Sequence, residues 1–243
     1  MRVPSVALAL LAIAPVAAQA QTPAVQTLPP LPAPTYVAPA ELDLARVLPP
    51  FPAAGSFADR VDVETMLAIQ RRRTKVDEID AQADSVTTMS DFTVRLLGVA
   101  KASPASHPKL FALMRALHDD MRGVNRAANA AKGFRPRPRV HDARITPSLD
   151  MVGHGDASYP SARTSSGYVW AAVFGDLFPA LAGAADAEAE RIAWRRVVGG
   201  VHYPSDLTGS RVVAARVVER LRARARFRQD LEVVRAETEN LRR

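Results

Sequence analysis

No cysteine occurs among the 243 residues, so the fold must hold without disulfides. Aromatic side chains make up only 6% of the chain while alanine is abundant, a balance that favours helix over sheet. No internal repeat is visible. After residue 20 no apolar run convincingly spans a bilayer. The best of them, Tyr168 to Ala185, is interrupted by Asp176 and Pro179 and reads as a buried core helix, so no stable membrane insertion is expected. With 48% hydrophobic and 23% charged residues, the chain suits one globular domain with a sizeable core plus extensions.

What is present begins with a leader. Arg2 precedes an apolar run from Val6 to Ala18, and Ala18-Gln19-Ala20 supplies a small-x-small cleavage signal, so residues 1–20 read as a secretory signal peptide removed after Ala20. Export follows, to the periplasm of a Gram-negative bacterium or beyond it. Cleavage takes Arg2 and no acid, leaving 31 basic against 25 acidic residues. Such a field favours anionic ligands without choosing among phosphate esters, nucleic acid and a membrane surface.

Residues 21–55 are rich in proline and alanine. Their fixed φ angles and missing donors exclude helix and interior strand, giving an extended arm expected to lie along the domain surface. Residues 56–243 read as helical throughout. Val63, Met66, Leu67 and Gln70 form one short stripe, and Val76, Ile79 and Ala83 a second. Leu110, Leu113, Met114, Leu117 and Met121 mark a longer helix running toward Ala131. Trp170, Phe174, Leu177 and Leu181 mark another. In the helix from Ala185 to Val198, Arg196 follows Ile192 by four and Ala193 by three and points with the apolar face. Arg195 follows Arg191 by four and points with the charged face. An arginine aimed at a core needs a buried anion or several acceptors, which singles out Arg196. After Pro204, Leu207, Ala214, Val217, Val218 and Leu221 mark one more helix. Beyond it, Arg222 to Arg228 leads into a charged amphipathic tail through Leu231, Val234 and Leu241. That tail reads as a solvated helix face, with an acidic partner as the other reading and no nucleic-acid role expected.

Three clusters carry chemistry. In Arg196-Val-Val-Gly-Gly-Val-His202-Tyr-Pro-Ser-Asp206, the glycines end one helix and Pro204 opens the next. Asp206, at its third position, reaches back and can take the Nδ1–H of His202, leaving the other ring nitrogen bare. Taken alone, the segment also fits a histidine packed beside an ordinary aspartate cap. Lys132-Gly-Phe-Arg-Pro-Arg-Pro-Arg139 sets two cations seven residues apart across a rigid turn, which fits a phosphate site or a solvated basic loop. Tyr159-Pro-Ser161-Ala-Arg163 precedes a helix whose N-terminus suits an anion.

Taken in chain order, with Lys132–Arg139 first, Tyr159–Arg163 second and Arg196–Asp206 third, the clusters resemble the type-2 phosphatidic acid phosphatase superfamily, with its K-x6-R-P, P-S-G-H and S-R-x5-H-x3-D motifs. The closer likeness is to the bacterial class A nonspecific acid phosphatases and covers roughly Glu41 to Val218. It implies an all-α single helical-bundle domain with an extended Pro-rich N-terminal arm, needing no cofactor and no metal. It further implies that Lys132, Arg139 and Arg196 bind phosphoryl oxygens, with Ser161 completing the cradle. His202 would attack phosphorus to give a phosphohistidine while Asp206 holds its ring. Partners would be small phosphorylated substrates or inorganic phosphate, and a homo-oligomer is left open.

The departures matter as much. Val140 stands for the proline of the first motif, and Arg195 for the serine of the third. Ala162 and Arg163 stand for the glycine and histidine of the second. In the family that histidine protonates the departing alkoxide. Arg163 keeps its proton at working pH, although it can hold a phosphoryl oxygen or steady a negative leaving group. Three outcomes stay open: a proton from His154, substrates with acidic leaving groups, or a phosphate-binding pseudophosphatase with poor turnover. A vanadate-dependent haloperoxidase is a further reading, because that fold and anion cradle are related.

Overall fold

In the computed structural model, residues 31–85, 88–98, 101–149 and 156–241 are described. Their helices are α1 (Leu44–Val47), α2 (Phe57–Arg72), α3 (Lys75–Ser85), α4 (Met89–Leu97), α5 (Pro108–Ala131), α6 (Pro138–His141), α7 (Ala162–Leu177), α8 (Ala182–Val198), α9 (Pro204–Ala223) and α10 (Ala225–Glu237). No strand occurs among the described residues, so the protein is an all-α single domain, as its composition suggests. The signal peptide and His154 lie outside the described residues.

Short polar residues and prolines set the helix starts. The Ser56 hydroxyl accepts from Asp59 N at 3.2 Å to begin α2. At α4 the Thr88 hydroxyl accepts from Asp91 N while Asp91 accepts from Thr88 N at 2.7 Å, a reciprocal cap. Pro108, Pro138 and Pro204 stand at the first positions of α5, α6 and α9, where a missing N–H costs nothing.

Helix α7 is apolar on nearly every side and is accordingly central, packed most extensively on α8 and α9 and flanked by α4, α5 and α10. Trp170 and Phe174 are fully buried, each edge-on to Phe92 of α4 at 6.0 and 6.1 Å between centroids. The periodic residues of α5 line the same core. Leu181 instead sits half-buried in a 3₁₀ turn after α7 has ended.

Three expectations need correcting. The arm does not lie along the surface: Tyr36, Val37, Leu42, Leu44 and Leu48 are buried in the core, and the chain forms a helical turn at Leu44–Val47 between its prolines. Buried Asp120 of α5 holds the arm by accepting from Thr35 N, Tyr36 N and Val37 N at 2.7, 2.7 and 3.0 Å. In α3, Val76 and Ile79 face solvent, and Ala81 and Asp84 face inward. Asp84 is drawn in by Arg95, Arg191 and Arg195, which meet it at 2.6–2.8 Å. The tail is not merely a solvated face. Phe227, Leu231 and Val234 of α10 pack into the core, and the Glu237 carboxylate accepts from Lys109 N and Leu110 N at the start of α5.

Asp120 thus carries three backbone donors that no other side chain among the described residues serves. Asp120→Ala should lower unfolding stability in urea by about 3 kcal/mol, because buried N–H groups lose their acceptor. A loss below about 0.5 kcal/mol would mean that the arm's attachment rests on apolar packing alone.

Candidate active site

His202 lies in the turn between α8 and α9. Gly200 makes that turn possible: its φ is +79°, and a Cβ there would fall 2.9 Å from Pro147 Cα. The ring is 5% exposed. Its Nδ1 is 2.8 Å from the Ser158 carbonyl oxygen and 3.4 Å from Asp206 Oδ2. A carbonyl oxygen only accepts, so Nδ1 carries the proton and Nε2 the lone pair. Arg137 Nη1 is 3.4 Å from that Nε2 and donates to the Val201 carbonyl at 3.1 Å. Asp206 is the N-terminal cap foreseen for α9, with Oδ2 accepting from Tyr203 N at 2.9 Å. The ring's shorter bond, however, is to Ser158, the residue just before the second cluster.

The first and second clusters are zipped together. Arg137 N donates to Asp156 O and Ser158 N to Arg135 O, both at 2.9 Å, around an antiparallel bridge between Pro136 and Ala157. In extended backbone alternate side chains share a face. Arg135 and Arg137 therefore turn inward while Phe134 is exposed. At Pro138 the chain becomes helical, the alternation ends, and Arg139 is exposed. Lys132 is redirected as α5 ends, next to Gly133 at φ +84°, and its ammonium donates to the Ala45 carbonyl.

The structure thus differs from the expectation at both cations of the first cluster. Lys132 and Arg139 do not join His202, and Arg137 stands there instead. The signal was present in the sequence: the motif calls for Arg-Pro, and Arg137-Pro138 supplies that pair where Arg139-Val140 does not.

Arg196, in the last turn of α8, is buried as its place on the apolar face requires. Burial first, then the charges of Arg163 and Arg137, push its pKa down to about 9, with Asp84 opposing. Burial also lowers Arg163, against Asp84 and Asp91, and lowers Arg137, against Asp206 and Asp156. Arg95, Arg135 and Arg191 shift the other way. Burial is the largest influence on each and acts downward, but their carboxylate partners outweigh it. Arg137, Arg163 and Arg196 thus form a cationic group beside a histidine, and such a group suits an anion. For His202, burial dominates and drives the imidazole down to about 4. Asp206 opposes, and Arg196 and Arg137 add to the lowering.

Ser161 is buried and caps α7, its hydroxyl accepting from Thr164 Oγ1 at 3.0 Å. Asn129 of α5 donates to the Tyr159 and Pro160 carbonyls at 3.0 Å and fixes this turn from behind. Helix α9 comes so close that a Cβ on Gly209 would lie 2.4 Å from the Tyr159 hydroxyl oxygen. Arg163 occupies the second position of α7, in electrostatic reach of Arg196 and His118. Arg135 and Asp62 went unforeseen. Arg135 donates to Asp206 Oδ1 and Asp62 Oδ2, both at 2.7 Å, with its guanidinium 3.8 Å from the Tyr203 ring centroid. Among the described residues no carboxylate–histidine cluster could hold a metal ion.

No family model matches the chain. It is similar to an acid phosphatase of Zymomonas mobilis subsp. mobilis, at 32% identity over 132 residues, which is 54% of this chain and 49% of that protein. The chain thus spans about half the length of the curated relative it matches.

His202 should titrate near pH 4 by NMR of its ring protons, well below the ordinary 6.5. Between those values the unfolded chain binds the proton and the folded one does not. The stability this group contributes is therefore complete above pH 6.5 and is lost as pH falls toward 4. In His202→Gln that part of the pH slope should vanish. A wild-type titration near 6.5 would contradict the buried neutral ring.

Proposed function

We propose that this protein is an exported acid phosphatase that hydrolyses small phosphomonoesters through His202. Supporting this above all is the ring's orientation, with Nδ1–H committed to Ser158 and the Nε2 lone pair beside Arg137. Nε2 attacks phosphorus and the ester oxygen departs with the bonding pair. Water then attacks the phosphohistidine, releasing inorganic phosphate and restoring the imidazole. Asp206 steadies the ring. Arg137 and Arg196 take the equatorial oxygens, whose charge such a reaction must stabilise, and the α7 N-terminus behind Ser161 adds backbone donors. A ring that resists protonation down to about pH 4 remains a nucleophile in acid.

Arg163 decides the substrate range. It neutralises a departing anion but has no proton to give at working pH. Leaving groups that are stable as anions, such as aryl or acyl phosphates, are therefore favoured over alkyl esters. The same residue favours a second reading, a phosphate-binding pseudophosphatase without significant turnover.

Hydrolysis of p-nitrophenyl phosphate separates the two. Activity that disappears in His202→Ala supports the enzyme, whereas wild-type protein that binds vanadate without turnover supports the pseudoenzyme. Arg137→Ala should cost about 10²–10³ in kcat/KM, while Arg139→Ala should change it less than about twofold. The reverse order would return the phosphate to the Lys132–Arg139 pair. Arg163→His should raise turnover of an alkyl phosphate by about 10² or more, since a general acid is worth that much.

A further inference from the structure

Behind His202 and Asp206 lie further buried charges that the proposed reaction does not itself use. Asp206 offers Oδ2 to Tyr203 N and, at 3.4 Å, to His202 Nδ1, and its Oδ1 is bound by Arg135 Nη1 at 2.7 Å. The other arm of the same guanidinium meets Asp62 of α2 at 2.7 Å, with Asp59 3.8 Å away. Ser205 closes the cluster by accepting from Arg135 Nη1 at 2.7 Å and donating to Asp62. Arg135 is 3% exposed and Asp206 fully buried, so solvent screens neither charge.

We propose that Arg135 is a positioning residue that governs how strongly Asp206 acts on His202, holding the carboxylate back so that Nδ1–H stays with the Ser158 carbonyl. This inference rests on the phosphatase reading for its catalytic meaning but not for its test. A buried aspartate beside an imidazole would ordinarily draw the ring toward imidazolium. Here Arg135 compensates the carboxylate's charge and fixes its rotamer through Oδ1. Asp62, held in turn by Ser205, keeps the guanidinium in place and stops it from swinging to the anion beside Arg137. A guanidinium suits this task because its planar fork reaches two carboxylates at once. The segment that supplies Arg135 also supplies Arg137, so one extended stretch carries both a cation for the anion and a cation for the aspartate.

The groups that face His202 come from every neighbouring element. Arg137 comes from the segment before α6, Arg196 from α8, Asp206 from α9, and the Ser158 carbonyl from the segment before α7. Behind them stand Arg163 of α7, Asp84 of α3, and Asp62 and Asp59 of α2. Arg135, with Asp62 and Asp59 behind it, reaches the ring through the Asp206 carboxylate and stands outside the anion cradle.

The test is the titration of His202 by NMR in the ligand-free protein, in parallel with the low-pH limb of kcat/KM for an aryl phosphate. Arg135→Gln should raise both midpoints by about one pH unit or more, the size expected of an opposite charge newly released within a few ångströms. Arg135→Lys, which keeps the charge, should hold them within a few tenths of the wild-type values. Inhibition by inorganic phosphate should be unchanged in both variants, because Arg135 does not touch the anion. Should Arg135→Gln lose its native circular dichroism, Asp62→Asn replaces it. That change leaves Arg135 to Asp206 alone and should move the His202 midpoint down. A midpoint that stays put in Arg135→Gln, or that rises in Asp62→Asn, overturns the inference. If the wild type hydrolyses nothing, the phosphatase reading fails, but the NMR titration still decides the role of Arg135.

Discussion

The ion pair between Arg135 and Asp206 joins the parts of the chain on which the site depends. Through Asp206 it fixes the first turn of α9 and the space beside the His202 ring. Through Arg135 it reaches Asp62 and so docks α2 against the start of α9. The Arg135 carbonyl accepts from Ser158 N, and the Ser158 carbonyl in turn accepts from His202 Nδ1. Segments about seventy residues apart are thereby held by buried bonds between charges of opposite sign, Arg135 to Asp206 and Arg135 to Asp62. Breaking a buried pair of this kind leaves an uncompensated charge, which typically costs about 3–5 kcal/mol.

Positive charge is handled in two ways on the two sides of α8. On one side Arg191 and Arg195, with Arg95 from α4, surround Asp84 in a network that also includes Asp80 and Glu188. On the other, burial pushes Arg137, Arg163 and Arg196 down against their carboxylate neighbours, and the charges of Arg163 and Arg137 push Arg196 down further. Asp84 acts on Arg163 and Arg196 as well, so the first network partly offsets the strain of the second. Arg195, four residues after Arg191 on the charged face, belongs to the Asp84 network and so adds to the scaffold behind the site.

Much of this was legible in the sequence, and the failures have physical causes. The long stripes of α5 and α7 and the inward turn of Arg196 follow from a period of 3.6 residues over several turns. The cap made by Asp206 follows from Pro204 and the spacing to it. Helix α3 misled because its apolar residues are the exposed ones: three arginines distant in sequence decide that Asp84 faces inward, and no local pattern reports them. Prolines in the arm pointed to an extended segment but not to its burial, which depends on Asp120 from α5 and on Asp230 from α10, the latter accepting from the Tyr36 hydroxyl. At Lys132 and Arg139, counting residues failed because side-chain direction depends on where extended backbone gives way to helix. That switch at Pro138 moves the inward cation to Arg137.

The central claim is that the lone pair on His202 Nε2 accepts the phosphoryl group beside Arg137 and Arg196. Acid-labile, base-stable label on the peptide containing His202, trapped by rapid quench during turnover of an aryl phosphate and located by mass spectrometry, tests it most directly. The account predicts one phosphoryl group on Nε2 of His202 and none in Arg137→Ala under the same conditions. Turnover without a labelled histidine, or label on a serine or aspartate, would contradict it.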